Sequence, residues 1–352
     1  MPLYGPSGAS EHLRALVRAL GRAGHEVRVA VRAEVDDRGR WGSAVAVPVF
    51  VAPSRPWPRG LRGVGAEMDA AASLRAAVAD GWRPDWVWER HALVSGMRGS
   101  IRARWLLEVN APVVLERRAA GANVAPRVAR GVADRLRAAD RVVVVSTWLA
   151  NHVVSEGARG ARVRVVPNGV EPGLRLDRAE ARARLPVPAE ASIVTGFVGT
   201  FKPGHSVGRL PALVDALGPS AWLVTVGSGP VRLPAHPRIV GLGQLQPDAV
   251  AAVVAGLDVA LAPYDRDSPP WFCPLKLMLY RAQGVPIVTG PLPDAARILG
   301  DDGGEIVVDG ASAAWAAAVR RQAARSLRRQ DRHMARRRVV GHILREPREP
   351  PR

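Results

Sequence analysis

Short apolar runs alternate along the chain with longer stretches in which Ala, Leu and Arg recur at helical spacing. Alternation of that kind is the pattern of parallel sheets assembled from strand-helix-strand units, and it points to an α/β protein. In the first half the runs predict strands at residues 27–31, 86–88, 106–109, 142–145 and 163–166. In the second they predict strands at 193–198, 222–226, 239–242, 259–261, 286–288 and 305–308. Two doubly wound Rossmann-like lobes follow, with the boundary at Pro167-Asn168-Gly169, where a strand stops at turn-forming residues.

The first helix is predicted over residues 10–22, with Ser10 as its cap, Leu13, Leu16, Val17 and Leu20 on one face, and Gly24 as its stop. A doubly wound lobe normally opens with a strand, yet the turn beginning at Gly5 follows only four residues. The first strand of the N-terminal lobe is therefore missing from the pattern. Either the start was assigned too late and an apolar strand is encoded just upstream, which is the favoured expectation, or the lobe is truncated and its sheet lacks a central member. The domains expected are an N-terminal lobe at 1–168, a C-terminal lobe at 169–320, and an arginine-rich helix with a frayed tail at 321–352. Residues 320–348 carry eleven arginines against Asp331 and Glu346, a density most often found on a solvated helix face. Contact with an anionic membrane surface is the secondary reading of that run.

The formal net charge is +18, which suits an anionic partner: a phosphorylated substrate, acidic lipid or nucleic acid. Aromatic residues make up only 5% and are not interleaved with the basic runs, so stacking platforms for single strands are lacking and nucleic acid is the weakest of the three. The one cysteine, Cys273, cannot form an internal disulfide or a cysteine-based metal site, which agrees with a reducing compartment. No apolar stretch approaches the ~20 residues that span a bilayer, and no signal pattern opens the chain, so a cytoplasmic protein is expected. Of the 50 basic residues only Lys202 and Lys276 are lysines. Two lysines in a chain that otherwise uses arginine direct attention to where they stand.

Ligands of open parallel sheets bind beyond the carboxyl ends of the strands, so the strand-to-helix loops carry the candidate chemistry. Gly199-Thr200-Phe201-Lys202-Pro203-Gly204-His205 follows one predicted strand, and Gly227-Ser228-Gly229-Pro230 follows the next. The glycines of that second turn let a ligand approach backbone. A later loop runs into Cys273-Pro274-Leu275-Lys276, where Pro274 marks the start of a helix that ends at Gly284. Free amides and a positive dipole end at such a start can hold phosphate. Lys276 in that first turn opposes the dipole unless an anion is bound there. Together Lys202 and Lys276 could clamp a diphosphate, each charge-assisted contact giving roughly 1.5–3 kcal/mol.

In these features the chain resembles glycosyltransferase family 4, the retaining GT-B enzymes that use nucleotide-sugar donors. The matching stretches are Gly8-Ala9-Ser10-Glu11-His12, Gly24-His25-Glu26-Val27, Trp88-Glu89-Arg90-His91, Glu108-Val109-Asn110-Ala111-Pro112, Ser146, Val166-Pro167-Asn168-Gly169-Val170, Gly227-Ser228-Gly229-Pro230, and Cys273 to Lys276 continuing through Gly284 to Val288. The match covers most of the chain in order. It implies a GT-B fold of two lobes facing a central cleft, retention of configuration, and a metal-independent reaction with no cofactor beyond the nucleotide sugar. By position, Gly199, Thr200, Lys202, His205, Gly227, Gly229, Pro274, Leu275 and Lys276 bind the donor. Gly8, Ala9, Ser10 and Arg90 face the acceptor, and His12, Glu108 and Asn110 are placed at the reacting centre. The resemblance demands no general base, since the leaving phosphate helps take the acceptor proton, and stabilising charge on that leaving group is the main catalytic contribution.

The chain also departs from the family. Paired glutamates eight positions apart, the later one gripping the donor ribose, are replaced by Trp271 and Leu279. Loss of the ribose carboxylate weakens donor binding by roughly 10- to 150-fold. The arginine and lysine of the first donor loop read Thr200 and His205. The leading expectation is glycosyl transfer to a lipid, small metabolite or glycan. The contrasting one is a GT-B-shaped binding or partner protein that no longer catalyses.

Overall fold

The computed structural model describes residues 8–31, 47–52, 56–58, 62–93, 95, 101–170, 177–202, 204–272 and 275–324. The chain divides into two compact units that meet at Asn168 and Gly169. The turn residues Gly5 to Ser7, together with Pro203, Cys273, Pro274 and the arginine run from 325 onward, lie outside the described residues.

In the first unit, helix α1 (Gly8–Arg22) leads to strands β1 (Val29–Val31) and β2 (Val49–Val51), helix α2 (Arg62–Ala77), and strands β3 (Trp86–Arg90) and β4 (Arg104–Val109). Helices α3 (Val113–Ala119) and α4 (Pro126–Ala138), strand β5 (Arg141–Val144), helix α5 (Thr147–Ser155) and strand β6 (Val163–Val165) complete it. Ser10 is fully buried within the first turns of α1 rather than capping it, because the helix already includes Gly8. Strand β2 is an addition to the sequence reading. Pro48 interrupts its apolar run but sits just ahead of the strand, where no N–H is needed and its carbonyl accepts from Val29.

Two sheets result: the parallel pair β1-β2, and the parallel sheet β3-β4-β5-β6. Among the described residues no strand precedes α1 and none bridges β1 to β3. Helix α1 joins the two instead. Its Leu13 and Val17 pack on Val29 and Val31, while Leu16 and Leu20 pack on Trp88 of β3. The predicted amphipathic stripe is thus wide enough to serve two sheets.

The second unit begins with helix α6 (Arg178–Ala183) and strand β7 (Ile193–Val198), followed by α7 (Leu210–Leu217), β8 (Ala221–Val226) and β9 (Ile239–Gly241). Then come α8 (Pro247–Ala255), β10 (Val259–Ala262), α9 (Leu275–Ala282), β11 (Ile287–Thr289), α10 (Ala295–Leu299), β12 (Gly304–Ile306) and α11 (Ser312–Ala323). All six strands are parallel, in the order β9-β8-β7-β10-β11-β12. One face of the sheet packs on α8, α9 and α10 around Val254, Leu277, Tyr280 and Ile298, the other on α7 and α11 around Leu213 and Trp315. The strand order reverses between β7 and β10. That reversal is where doubly wound sheets open a ligand crevice.

Candidate active site

The loops leaving β7 and β10 and the start of α9 converge at this switch point. Helix α9 is locked in rotation by Tyr280, whose hydroxyl donates to the Leu261 carbonyl at 3.2 Å and accepts from the Val198 amide at 2.9 Å. Lys276 stands one turn earlier on the same face, so the same lock turns it inward. It is only 9% exposed. Its Nζ lies 4.1 Å from the centre of the Phe197 ring and 5.2 Å from that of Tyr264, and has no hydrogen-bond partner among the described residues. Burial pushes the amine down from its ordinary range to about 7. Room for the ammonium depends on Gly199, where a Cβ would stand 2.9 Å from Nζ.

His205 occupies a pen of aromatic rings, with ring centres at 6.0 Å from Phe197, 5.5 Å from Tyr264 and 6.2 Å from Phe272. Its Nδ1 is bonded to the Thr200 carbonyl. Burial first, and then the charge of Lys276, hold it down at about 4 against the pull of that carbonyl, so the ring is neutral near pH 7. His205 therefore does not supply the cation found at its position in the resembling family. Lys202 and Thr200 are exposed on the same loop, and the Lys202 charge reaches His205. Leu275 opens α9 half-buried.

Residues absent from the sequence reading staple the two loops together. Ser206, in the left-handed region at φ 45°, donates to Asp265, which also pairs with Arg209 at 2.5 Å. Ser268 Oγ donates to the Gly204 carbonyl and accepts from the Asp265 amide, both at 2.9 Å. The only sequence signal for this staple is a serine and an aspartate placed in loops at one sheet edge, too common a pairing to single out.

The glycines of the turn after β8 let a neighbouring loop approach closely. A Cβ on Gly227 would stand 2.2 Å from the Gly199 carbonyl oxygen, and one on Gly229 would stand 2.5 Å from the Phe201 amide and carbonyl. The space their missing side chains leave is filled by the loop after β7. That loop is bonded through the Gly199 amide to Val226 at 2.9 Å and through Phe201 to Ser228 at 3.2 Å. These glycines bring two loops backbone to backbone, and that contact holds Gly199 where it faces the Lys276 amine.

In the first unit, Glu108 stands one residue before the end of β4 with 4% exposure. It accepts from Trp88 Nε1 at 3.0 Å and Asn110 Nδ2 at 2.9 Å, and its Oε1 is in contact with His12 Nε2. Burial alone would raise its pKa, but attraction to His12, the His12 and Asn110 hydrogen bonds and the Arg90 charge together bring it down to about 2. Arg90 is its register partner on β3. The structure thus gathers His12, Arg90, Glu108 and Asn110 into one cluster, adds Trp88, and places Gly8, Ala9 and Ser10 in the turn of α1 just before His12. His91, the next residue beyond β3, is buried. Burial, then Arg135 and His152, press it down to about 3. Among the described residues no three His, Cys, Asp or Glu side chains stand together to hold a metal ion, and no helix is long and apolar enough to cross a membrane.

Two parallel-sheet units, the second in Rossmann order with a buried lysine at its switch point, are the architecture of the GT-B glycosyltransferase fold. A solved sucrose-phosphate synthase from Thermosynechococcus elongatus has this fold, with a TM-score of 0.68 at 20% identity over 96% of this chain and 89% of that one. Anabaena HepE in complex with UDP and glucose superposes with a TM-score of 0.67 at 16% identity, over 96% and 92% of the two chains. Both likenesses are of fold. Residues 6–174 match the family described as Glycosyltransferase Family 4, and residues 192–325 match Glycosyl transferases group 1. Each half of the chain thus matches a glycosyltransferase model, and the two together support a family-4 type of glycosyltransferase. It is 31% identical over 214 residues to the D-inositol 3-phosphate glycosyltransferase of Acidothermus cellulolyticus, a match covering 56% of this chain and 47% of that protein. The matched stretch thus spans about half the length of that relative.

Proposed function

We propose that this chain transfers a glycosyl group from a nucleoside diphosphate sugar to a hydroxyl acceptor, with retention at the anomeric carbon and without a metal ion. The observation that carries this reading is Lys276: a buried amine with no acceptor among the described residues, at the start of a helix, beside the sheet's switch point. A buried amine without a partner is costly unless an anion completes it. A diphosphate leaving group fits, since the α9 amides and Lys276 stabilise the charge that grows as the glycosidic bond breaks. Lys202, exposed on the neighbouring loop, adds a second cation. The acceptor side is assigned to the Glu108 cluster, where a fixed carboxylate holds His12 and Asn110 in one geometry. In this reading the proton released by the acceptor passes to the leaving phosphate. HepE, which shares the fold, was solved with UDP and glucose, and that supports the donor class.

The competing reading is a binding protein that has lost transfer. It rests on Leu279, which packs against the α8-α9-α10 core where the resembling family carries a ribose-binding carboxylate. Calorimetry with a panel of nucleotide sugars, with and without chelator, separates the two. The transferase reading expects saturable binding of at least one donor, unchanged by chelator and lost on Lys276→Ala, followed by sugar release or transfer on incubation. Saturable binding with neither hydrolysis nor transfer favours the binding protein, and no binding across the panel removes the donor site altogether. Vesicle co-sedimentation tests the membrane contact proposed for the arginine tail.

A further inference from the structure

The second unit holds an arrangement that a permanently charged phosphate site does not need. Lys276 is enclosed by Phe197 from β7, Gly199 from the loop after it, and Tyr264 from the loop after β10. None of these supplies a negative charge. Titratable and charged groups facing it from the packed elements are the Tyr264 and Tyr280 phenols, His205 and, through His205, Lys202. Asp265, the acid next to Tyr264, commits its oxygens to Ser206 and Arg209. His205 adds no counter-charge, because its Nδ1 is bonded to the Thr200 carbonyl and its ring is walled by Phe197, Tyr264 and Phe272.

Resting on the donor-site reading above, we propose that this site is largely uncharged when empty in mildly alkaline solution and there takes up a proton from solvent together with its anion, Lys276 being the group that titrates. The physical reason is enclosure. An ammonium enclosed by two ring faces, 9% exposed and with no acceptor among the described residues, is held only by weak cation–π attraction, so the neutral amine is favoured. A diphosphate entering at the α9 amides supplies the missing acceptor, and the charge-assisted bond then favours the ammonium. The balance is simple: the amine gains a proton from buffer, and the anion binds to the resulting cation. The direction of the Lys276 shift agrees with this. Linkage makes the effect reciprocal, so the anion raises the proton affinity of Lys276, and rising pH weakens the anion's affinity.

Because the chain has only two lysines, the test is direct. Full-length protein carrying lysine labelled with 13C at Cε gives two side-chain signals, and Lys276→Arg assigns them. In ligand-free protein the Lys276 signal is expected to titrate near pH 7, and saturating UDP should move its midpoint upward by one pH unit or more, about a tenfold or greater gain in proton affinity. Calorimetry of UDP binding at pH 8, in buffers of different ionisation heat, should show uptake of about 0.4 proton for a one-unit shift, rising to about 0.8 for a two-unit shift. That buffer dependence should vanish in Lys276→Arg while binding persists. UDP, GDP or pyrophosphate binding with an unmoved midpoint overturns the inference and leaves the donor site standing. A ligand-free midpoint at the free-lysine value also overturns it. If none of the three ligands binds, the inference and the donor reading fall together.

Discussion

Lys276 and Phe197 meet face to charge, Nζ 4.1 Å from the ring centre, although one comes from the start of α9 and the other from the C-terminal end of β7. Cation–π attraction of that kind contributes about 0.5–2 kcal/mol, less than full burial of an ammonium costs. The position is therefore held by the packing of α9 through Tyr280 rather than by the lysine's own comfort.

Replacing Lys276 with Met should then stabilise the empty protein while abolishing nucleotide binding. Its folded-state value of about 7 lies below the ordinary 10.5, so between those limits the unfolded chain binds a proton that the folded chain lacks. Stability conferred by the wild-type lysine rises as pH climbs from 7 towards 10.5, and the full penalty is present below 7. Urea unfolding at pH 6 is expected to show Lys276→Met ahead by up to ~5 kcal/mol, with the gap closing towards pH 10.5. A variant that is no more stable than the parent at pH 6 would contradict the enclosure of this lysine.

Glu108 gives the opposite dependence on pH. Its folded-state value of about 2 lies below the ordinary 4.5, so the stability it contributes is present above pH 4.5 and is lost as pH falls through 2. Glu108→Gln removes the charge held by His12 and sets an amide NH2 against the donors of Trp88 and Asn110. A loss of about 2–4 kcal/mol at pH 7 is expected. Thermal melts between pH 2 and 6 should show the parent losing stability more steeply than the variant. Parallel curves would mean that the carboxylate is not held as the structure shows.

The strand-helix alternation made both units readable, because parallel strands buried on two faces leave unbroken apolar runs and each has its own helix. Strand β2 was hidden by Pro48, and the true start of α1 by the appeal of Ser10 as a cap. The site was half legible. Lys276 stood out through the scarcity of lysine, and Glu108 and Asn110 through their place at a strand end. The pen of Phe197, Tyr264 and Phe272 did not stand out, since its members come from separate segments and look like ordinary core residues. Nor did the neutral state of His205, which depends on how completely those rings close around it. The glycines at 227 and 229 were visible as a tight turn, but only the fold shows that backbone fills the space above them.

Two glycines of one loop pair separate crowding from backbone conformation. Gly227 and Gly243 both have positive φ, 108° and 64°, and the Gly227 amide donates to the Gly243 carbonyl at 2.6 Å. A Cβ at Gly243 meets nothing within 4 Å, whereas one at Gly227 meets the Gly199 oxygen at 2.2 Å. Gly243→Ala should cost ~1 kcal/mol from conformation alone, and Gly227→Ala ~3 kcal/mol or more, because two loop backbones must part. Chemical denaturation reads the difference. Gly227→Ala should also weaken nucleotide binding, since the loop it displaces carries Gly199 against Lys276, while Gly243→Ala should leave binding nearly unchanged. Equal costs at the two positions would refute the crowding.

Leu279 tests the other half of the donor site. It lies on α9 three residues beyond Lys276, half-buried against the core of that face. Leu279→Glu restores the carboxylate implied by the family resemblance, at a cost of about 1–2 kcal/mol of stability from lost packing. Two hydroxyls of a bound ribose would then find an acceptor, so nucleoside diphosphate affinity should rise by about tenfold or more. The gain must disappear with a 2′,3′-dideoxynucleoside diphosphate, which offers no hydroxyl to grip. A gain that survives in the dideoxy ligand would be electrostatic or conformational in origin, and no gain at all would place the ribose elsewhere than beside α9. Either result is read by calorimetry on the same variant, with urea unfolding confirming that the fold is kept.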